Sequence, residues 1–174
     1  AEHVKQDFKE LYGPTWKISD ILDYDGCEVG IESSVVDCRN ELPVILREGF
    51  ITLKNIEDVI GIKVTNKNFP KELISPGMLQ KHYAPKTKLL LNQKQYIPGS
   101  ACLGFGKLPI SFKKCEHNFN LSLSENLFEA SHLLYEGLRY LDKFDLKFIQ
   151  VLPIPNIGIG KALNDRLIRA SFNE

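Results

Sequence analysis

From Thr65 to Pro85 the apolar periodicity that marks helices and strands disappears, and Asn66, Asn68, Pro70, Pro76, Gly77 and Pro85 accumulate. Proline fixes φ and removes an amide donor, so this stretch cannot continue a helix or sit inside a sheet. It is also longer than most connections inside a compact domain. The chain is therefore expected to fold as two parts, residues 1–64 and 87–174, joined by a linker over 65–86. That linker retains Met78, Leu79, His82 and Tyr83, which a purely solvated tether would not need, so it is expected to dock on something.

Beyond the linker the pattern is regular. Lys88-Leu89-Leu90-Leu91 and Ala101-Cys102-Leu103-Gly104-Phe105 read as strands. Leu127, Ala130, Leu134, Leu138 and Leu141 then form a stripe at spacings of three and four, a helix that Ser124 is placed to cap. Phe148–Leu152 reads as a strand and Ala162–Phe172 as a closing helix. Strands alternating with helices imply an α/β unit with a mainly parallel sheet. Before the linker the elements are shorter. Val4, Phe8, Leu11 and Tyr12 predict a helix stopped by Gly13-Pro14. Ile18, Ile21 and Leu22 lead into Asp23-Tyr24-Asp25-Gly26, after which Val29, Ile31, Ser33, Val35 and Asp37 alternate, a pattern that predicts two short strands joined by a turn. Leu42–Arg47 is a further strand candidate, and Ile56–Ile60 one or two helical turns.

Twenty-two Lys and Arg balance 22 Asp and Glu. No global positive field is available to hold nucleic acid or an anionic membrane. No apolar run approaches bilayer length, and the first residues lack the basic and apolar regions of a signal peptide, which points to a cytoplasmic setting without membrane partners. The chain starts with Ala and enters a helical pattern at once, so Ala1 is not expected to be a natural start. Cys27, Cys38, Cys102 and Cys115 are too widely spaced for a metal site and are expected to be reduced, mostly buried thiols.

Three segments carry more polar chemistry than their surroundings explain. In Gly30–Asp37, hydroxyls and carboxylates interrupt an apolar strand; they either face solvent or bind a ligand such as an amino acid. Arg47, at a strand end just before Glu48-Gly49, can pair with Glu48 at the surface or present its planar fork to phosphate. Between Ser75 and Pro85, Lys81, His82 and Tyr83 stand between prolines, a set suited to phosphate contact and base stacking or simply to a stiff connector. Gly158-Ile159-Gly160-Lys161 fails as a dinucleotide fingerprint: the third glycine is missing and Pro153–Asn156 separate it from the strand. Asn164-Asp165-Arg166 is expected to make intrahelical and interdomain polar contacts. His3, His117 and His132 have no partners at catalytic or metal spacing and read as surface or locally bonded residues.

In order, Glu32-Ser33-Ser34-Val35-Val36-Asp37, Ile45-Leu46-Arg47-Glu48-Gly49, Ser75-Pro76-Gly77-Met78, Lys81-His82-Tyr83-Ala84-Pro85 and Gly158–Leu167 resemble the long form of the YrdC-type threonylcarbamoyl-AMP synthases. Leu138–Asp142 fits the same pattern. Two positions depart from it: Asp23-Tyr24-Asp25 replaces the usual Asp-Gly-Gly, and Ser34 the usual Thr. The family's earlier Lys-x-Arg and Ser-x-Asn segments have no counterpart here. The resemblance implies a partial YrdC-like α/β domain over 1–64, a docking linker, and a small Rossmann-like accessory domain over 87–174. It implies an enzyme that joins L-threonine, bicarbonate and ATP, with Mg²⁺, for the threonylcarbamoyladenosine modification of tRNA. By position Ser33 would contact threonine, and Arg47 the ATP phosphates. Tyr83, with His82 as a weaker companion, would contact the nucleotide.

Three functional readings follow. The chain is a portion of a synthase, not active alone, either an excised fragment or one product of a split gene, with a separate N-terminal half or tRNA-modification proteins as its partner. Alternatively it is a noncatalytic binding module or a degenerate member of the family. A third reading, RNA binding, is disfavoured by the neutral charge.

Overall fold

The computed structural model describes residues 2–15, 18–24, 27, 29–66 and 84–172. Helix α1 (Glu2–Tyr12) runs into a 3-10 turn at Gly13–Thr15, as the Gly13-Pro14 stop requires. Strands β1 (Val35–Asp37) and β2 (Val44–Arg47) pair antiparallel, placing Val35 opposite Arg47 and Asp37 opposite Val44. The short β3 (Thr65–Asn66) adds to β2 in parallel, giving the order β1-β2-β3. Between them, α2 (Leu53–Ile60) starts at a reciprocal cap. Thr52 Oγ1 accepts from Asn55 N at 3.2 Å, and Asn55 Oδ1 accepts from Thr52 N at 3.0 Å.

The expected pair of strands, around 18–22 and 29–37, is not what forms, and residues 18–24 enter no strand. Of 29–37 only Val35–Asp37 enters a strand, while residues 29–32 leave the sheet and pack against the second part of the chain. Ile31 is buried in that part's core. Gly30 lies flat on a helix backbone, where an added Cβ would fall 2.4 Å from His132 Cα. Burial of Ile31 and close approach at Gly30 replace the ladder hydrogen bonds that the alternation suggested.

The second part is a four-stranded, all-parallel sheet in the order β4-β7-β5-β6. Its strands are β4 (Lys88–Leu90), β5 (Ala101–Gly104), β6 (Asn118–Asn120) and β7 (Phe148–Val151). Helix α3 (Leu127–Asp142) connects β6 to β7, and α4 (Gly160–Ser171) follows β7. Leu89, Ala101, Leu103, Ile149 and Val151 point to one face and share a core with Leu134, Leu138 and Leu141 of α3 and Leu163 and Leu167 of α4. Cys102 and Leu152 point to the other face, under Phe112 and Cys115 of a 3-10 segment at Ile110–Lys114 and the residue after it. The buried Gln150 on that face makes three hydrogen bonds: its Oε1 accepts from Ile97 N and Ser100 Oγ, both at 2.7 Å, and its Nε2 donates to Gln95 O at 2.9 Å.

Three expectations change. Asn126, not Ser124, caps α3: its Oδ1 accepts from Phe128 N at 2.8 Å and Glu129 N at 3.2 Å. Glu125 takes φ 60°, which puts Ser124 out of cap position, and the Ser124 hydroxyl donates to Glu129 instead. Strand β6 is additional; Asn118-Phe119-Asn120 has too little apolar character to announce an edge strand. Cys102 and Cys115 are buried, but Cys27 and Cys38 are exposed. Of the histidines, His117 stacks on Phe144 with centroids 4.0 Å apart and His132 is exposed on α3, while the His3 side chain lies outside the described residues.

Candidate functional site

Arg47 ends β2 and Ser33 stands two residues before β1, so the antiparallel register brings them together. Arg47 Nε donates to the Ser33 carbonyl at 3.0 Å, and Arg47 Nη2 lies 3.5 Å from Ser33 Oγ. Two features hold the approach. Gly49 runs directly beneath this turn, where a Cβ would fall 2.3 Å from Ser34 N. The Ser34 hydroxyl donates to the Ile51 carbonyl across the same gap. Ser33 is exposed and Arg47 half-buried, so a hydroxyl and a guanidinium edge are presented side by side. Such a set suits anionic and zwitterionic groups. Asp37 is engaged differently, by Arg39 Nε at 2.8 Å and Nη2 at 2.7 Å.

Tyr83, His82 and the Ser75–Met78 motif lie outside the described residues, as does the linker from 67 to 83. Ala84 and Pro85 are described, and just after them Asp142 at the end of α3 accepts from the amides of Lys86 (3.1 Å) and Thr87 (2.8 Å). The linker's exit is thereby tied to the second unit.

Immediately before Ser33, Glu32 crosses to the second unit. Its carboxylate accepts from Tyr135 Oη of α3 at 2.9 and 3.0 Å and from Arg166 Nε of α4 at 3.0 Å. Arg166 Nη1 donates to Asp165 at 3.0 Å, and Asp165 also accepts from Arg169 Nε at 3.0 and 3.1 Å. Arg166 is only 1% exposed, and among the described residues its Nη2 has no hydrogen-bond partner. Burial alone would lower the Arg166 pKa, but the charges of Glu32, Tyr135 and Asp165 outweigh it and hold the guanidinium above its ordinary value. Phe50 against Phe128, edge to face at 5.7 Å, extends the same interface. Of Asn164-Asp165-Arg166, expected to make intrahelical and interdomain polar contacts, Arg166 makes the interdomain one and Asp165 pairs within α4. The sequence did not single out Tyr135, whose position on an otherwise apolar helix stripe gives no polar signal, or Glu32 as the partner of Arg166.

A separate cavity of about 250 Å³ opens beyond the carboxyl ends of β4 and β7, lined by Asn92, Asn156, Asn164 and Leu167 among others. Asn164 Nδ2 is already committed to the carbonyls of Ile154 (3.2 Å) and Gly160 (2.9 Å). Among the described residues no group of three His, Cys, Asp or Glu side chains could hold a metal ion. The hydroxyl and guanidinium of the Ser33–Arg47 pair likewise do not fit a divalent cation. Among those residues, no helix is long and apolar enough to cross a membrane.

Residues 51–171 match the family described as the threonylcarbamoyl-AMP synthase C-terminal domain. The threonylcarbamoyl-AMP synthase of Bacillus subtilis is 30% identical, with 98% of this chain and 52% of that protein aligned. That of Pyrococcus abyssi is 29% identical over 98% of this chain and 53% of the relative. The Schizosaccharomyces pombe synthase is 38% identical over 52% of this chain and 23% of its own length. The chain thus spans about half the length of the first two relatives. The fold is similar to the crystal structure of P. abyssi Sua5 complexed with L-threonine, with a TM-score of 0.77 at 22% identity, covering 94% of this chain and 52% of that one. A P. abyssi Sua5 variant with an adjacent His and Tyr changed to Ala also matches, with a TM-score of 0.66 at 22% identity over 83% of this chain and 46% of that one. An α/β unit with a four-stranded parallel sheet, a second small sheet docked on it through Glu32, and a family match over most of its length lead to one assignment: the chain belongs to the threonylcarbamoyl-AMP synthase family and corresponds to its C-terminal portion.

Proposed function

We propose that this chain supplies one wall of a threonylcarbamoyl-AMP synthase pocket, with Ser33 contacting L-threonine and Arg47 the phosphates of ATP. The observation that carries this reading is the adjacency of Ser33 and Arg47, at 3.0 Å through the Ser33 carbonyl. The reaction joins a carbamate, formed from threonine and bicarbonate, to the α-phosphate while pyrophosphate departs. The contacts for amino acid and phosphate must therefore lie side by side. Arg47 offsets charge that builds on the phosphate as the new bond forms. The described residues offer no group of carboxylates, His or Cys that could hold Mg²⁺, so the phosphates of ATP would have to hold it, where it would offset their charge. Tyr83, with His82 as a weaker companion, contacts the nucleotide.

Residues 1–64 are, in this reading, part of a YrdC-like domain; 65–86 form the docking linker and 87–174 the accessory α/β domain. Apolar side chains left exposed in the loops and helix beside the first sheet support a larger domain around it. Leu42, Ile51 and Val59 are 51%, 50% and 86% exposed, and none of the described residues of the amphipathic α2 is fully buried. An apolar face of this kind fits against another piece of protein. The N-terminal part of the synthase, with its Lys-x-Arg and Ser-x-Asn segments, is the piece proposed to cover it. The product would pass to the modification of tRNA.

The chain alone is expected to give no threonine- and bicarbonate-dependent release of pyrophosphate from ATP, and addition of the N-terminal part to restore it. Full turnover by the chain alone would overturn its dependence on that part. No turnover by the reconstituted pair would favour a noncatalytic module.

A further inference from the structure

We propose that Glu32, held by Tyr135 and Arg166, is a positioning device through which the accessory α/β unit sets the geometry of Ser33 and Arg47. This inference rests on the reading of those two residues as substrate contacts. The connection is short and continuous. Arg166 Nε and Tyr135 Oη fix the Glu32 carboxylate from two different helices. The next residue along the chain offers the carbonyl that receives Arg47 Nε. On either side of this segment the backbone has no freedom to drift: Gly30 is pressed on α3 and Gly49 on the Ser33–Ser34 peptide. A rotation of the Glu32 peptide would carry the Ser33 carbonyl with it and release the Arg47 fork.

The chemistry of the contact favours positioning over mere adhesion. A buried ion pair contributes little net stability compared with apolar packing, whereas its directional hydrogen bonds define one register. Arg166 is buried with Nη2 lacking a partner among the described residues, a destabilising feature that an apolar interface would avoid. Among the described residues, Asp165 and Arg169 extend the cluster, so that carboxylates and guanidinium groups alternate from Glu32 to Arg169. Glu32, Tyr135 and Arg166 act through Ser33 and Arg47 and touch no substrate in this scheme.

The test is made on the 174-residue chain by following the Arg47 Nε–H signal in ¹⁵N–¹H spectra. In the unsubstituted chain this proton should exchange slowly. In Glu32→Gln and in the milder Tyr135→Phe it should exchange roughly tenfold faster, as expected when a hydrogen bond loses its fixed acceptor. Retained amide protection in β5 and β7 establishes that the variant is folded; if Glu32→Gln fails that check, Tyr135→Phe decides. Unchanged Arg47 exchange in a folded Tyr135→Phe chain overturns the proposal. In the chain reconstituted with the N-terminal part, the same variants should raise KM roughly tenfold for both threonine and ATP, since Ser33 and Arg47 are displaced together. A reconstituted, unsubstituted pair without threonine-dependent turnover would defeat the functional reading, and the exchange result would still decide the positioning role.

Discussion

Cys102 sits in the middle of β5 with none of its surface exposed, on the sheet face covered by Phe112, Cys115 and Leu152. Burial, and after it the neighbouring Cys115, pushes its thiol from 9.0 up to about 12. Below pH 9 the thiol is neutral in both folded and unfolded chains, and the stability of the buried form is fully present. Above that pH the unfolded chain ionises first, so stability falls until the folded-state value is passed. For one proton the slope is about 1.4 kcal/mol per pH unit. Urea unfolding at pH 8 and pH 10 should show Cys102→Ala losing less stability between the two than the unsubstituted chain, by one thiol's share of the slope. Equal losses would contradict it. The exposed Cys27 and Cys38 show what composition leaves out: a thiol's burial follows from the element that carries it, and both lie outside the described strands.

At the scale of elements, the start of α3 turns on a single cap. Asn126→Ala removes an acceptor from two helix amides and should cost about 1 kcal/mol. Ser124→Ala leaves those amides paired, with an expected change under about 0.5 kcal/mol. Comparison of urea midpoints separates the two; a larger loss at Ser124 would return the cap to that residue. The stripe of Leu134, Leu138 and Leu141 made α3 readable, as apolar residues at helical spacing must be buried on one side. β4, β5 and β7 were readable for the corresponding reason. Ser124 was the wrong cap because φ at Glu125 is a property of the folded turn. The segment 29–32 misled for a related reason: its alternation of apolar and polar residues serves an interdomain contact, with Ile31 inserted in one core and Glu32 reaching the helices beside it.

Across the whole molecule, the contacts between the two units include, among the described residues, Val29, Gly30, Ile31, the Phe50–Phe128 pair and the Glu32 cluster. Ser33 and Arg47 were visible in the sequence as a polar interruption and an Arg at a strand end, but their adjacency required the antiparallel register of β1 and β2. In the proposed synthase each of the two should govern one substrate. Losing a hydrogen bond to a charged group is worth about 1.5–3 kcal/mol, or roughly 10- to 100-fold in apparent affinity. The direct measurement is the KM for threonine and for ATP in the chain reconstituted with the N-terminal part, comparing Ser33→Ala and Arg47→Gln. Ser33→Ala should raise KM for threonine at least about tenfold and leave that for ATP within about twofold, and Arg47→Gln should do the reverse. If both variants leave both constants unchanged, Ser33 and Arg47 are not the wall of the pocket.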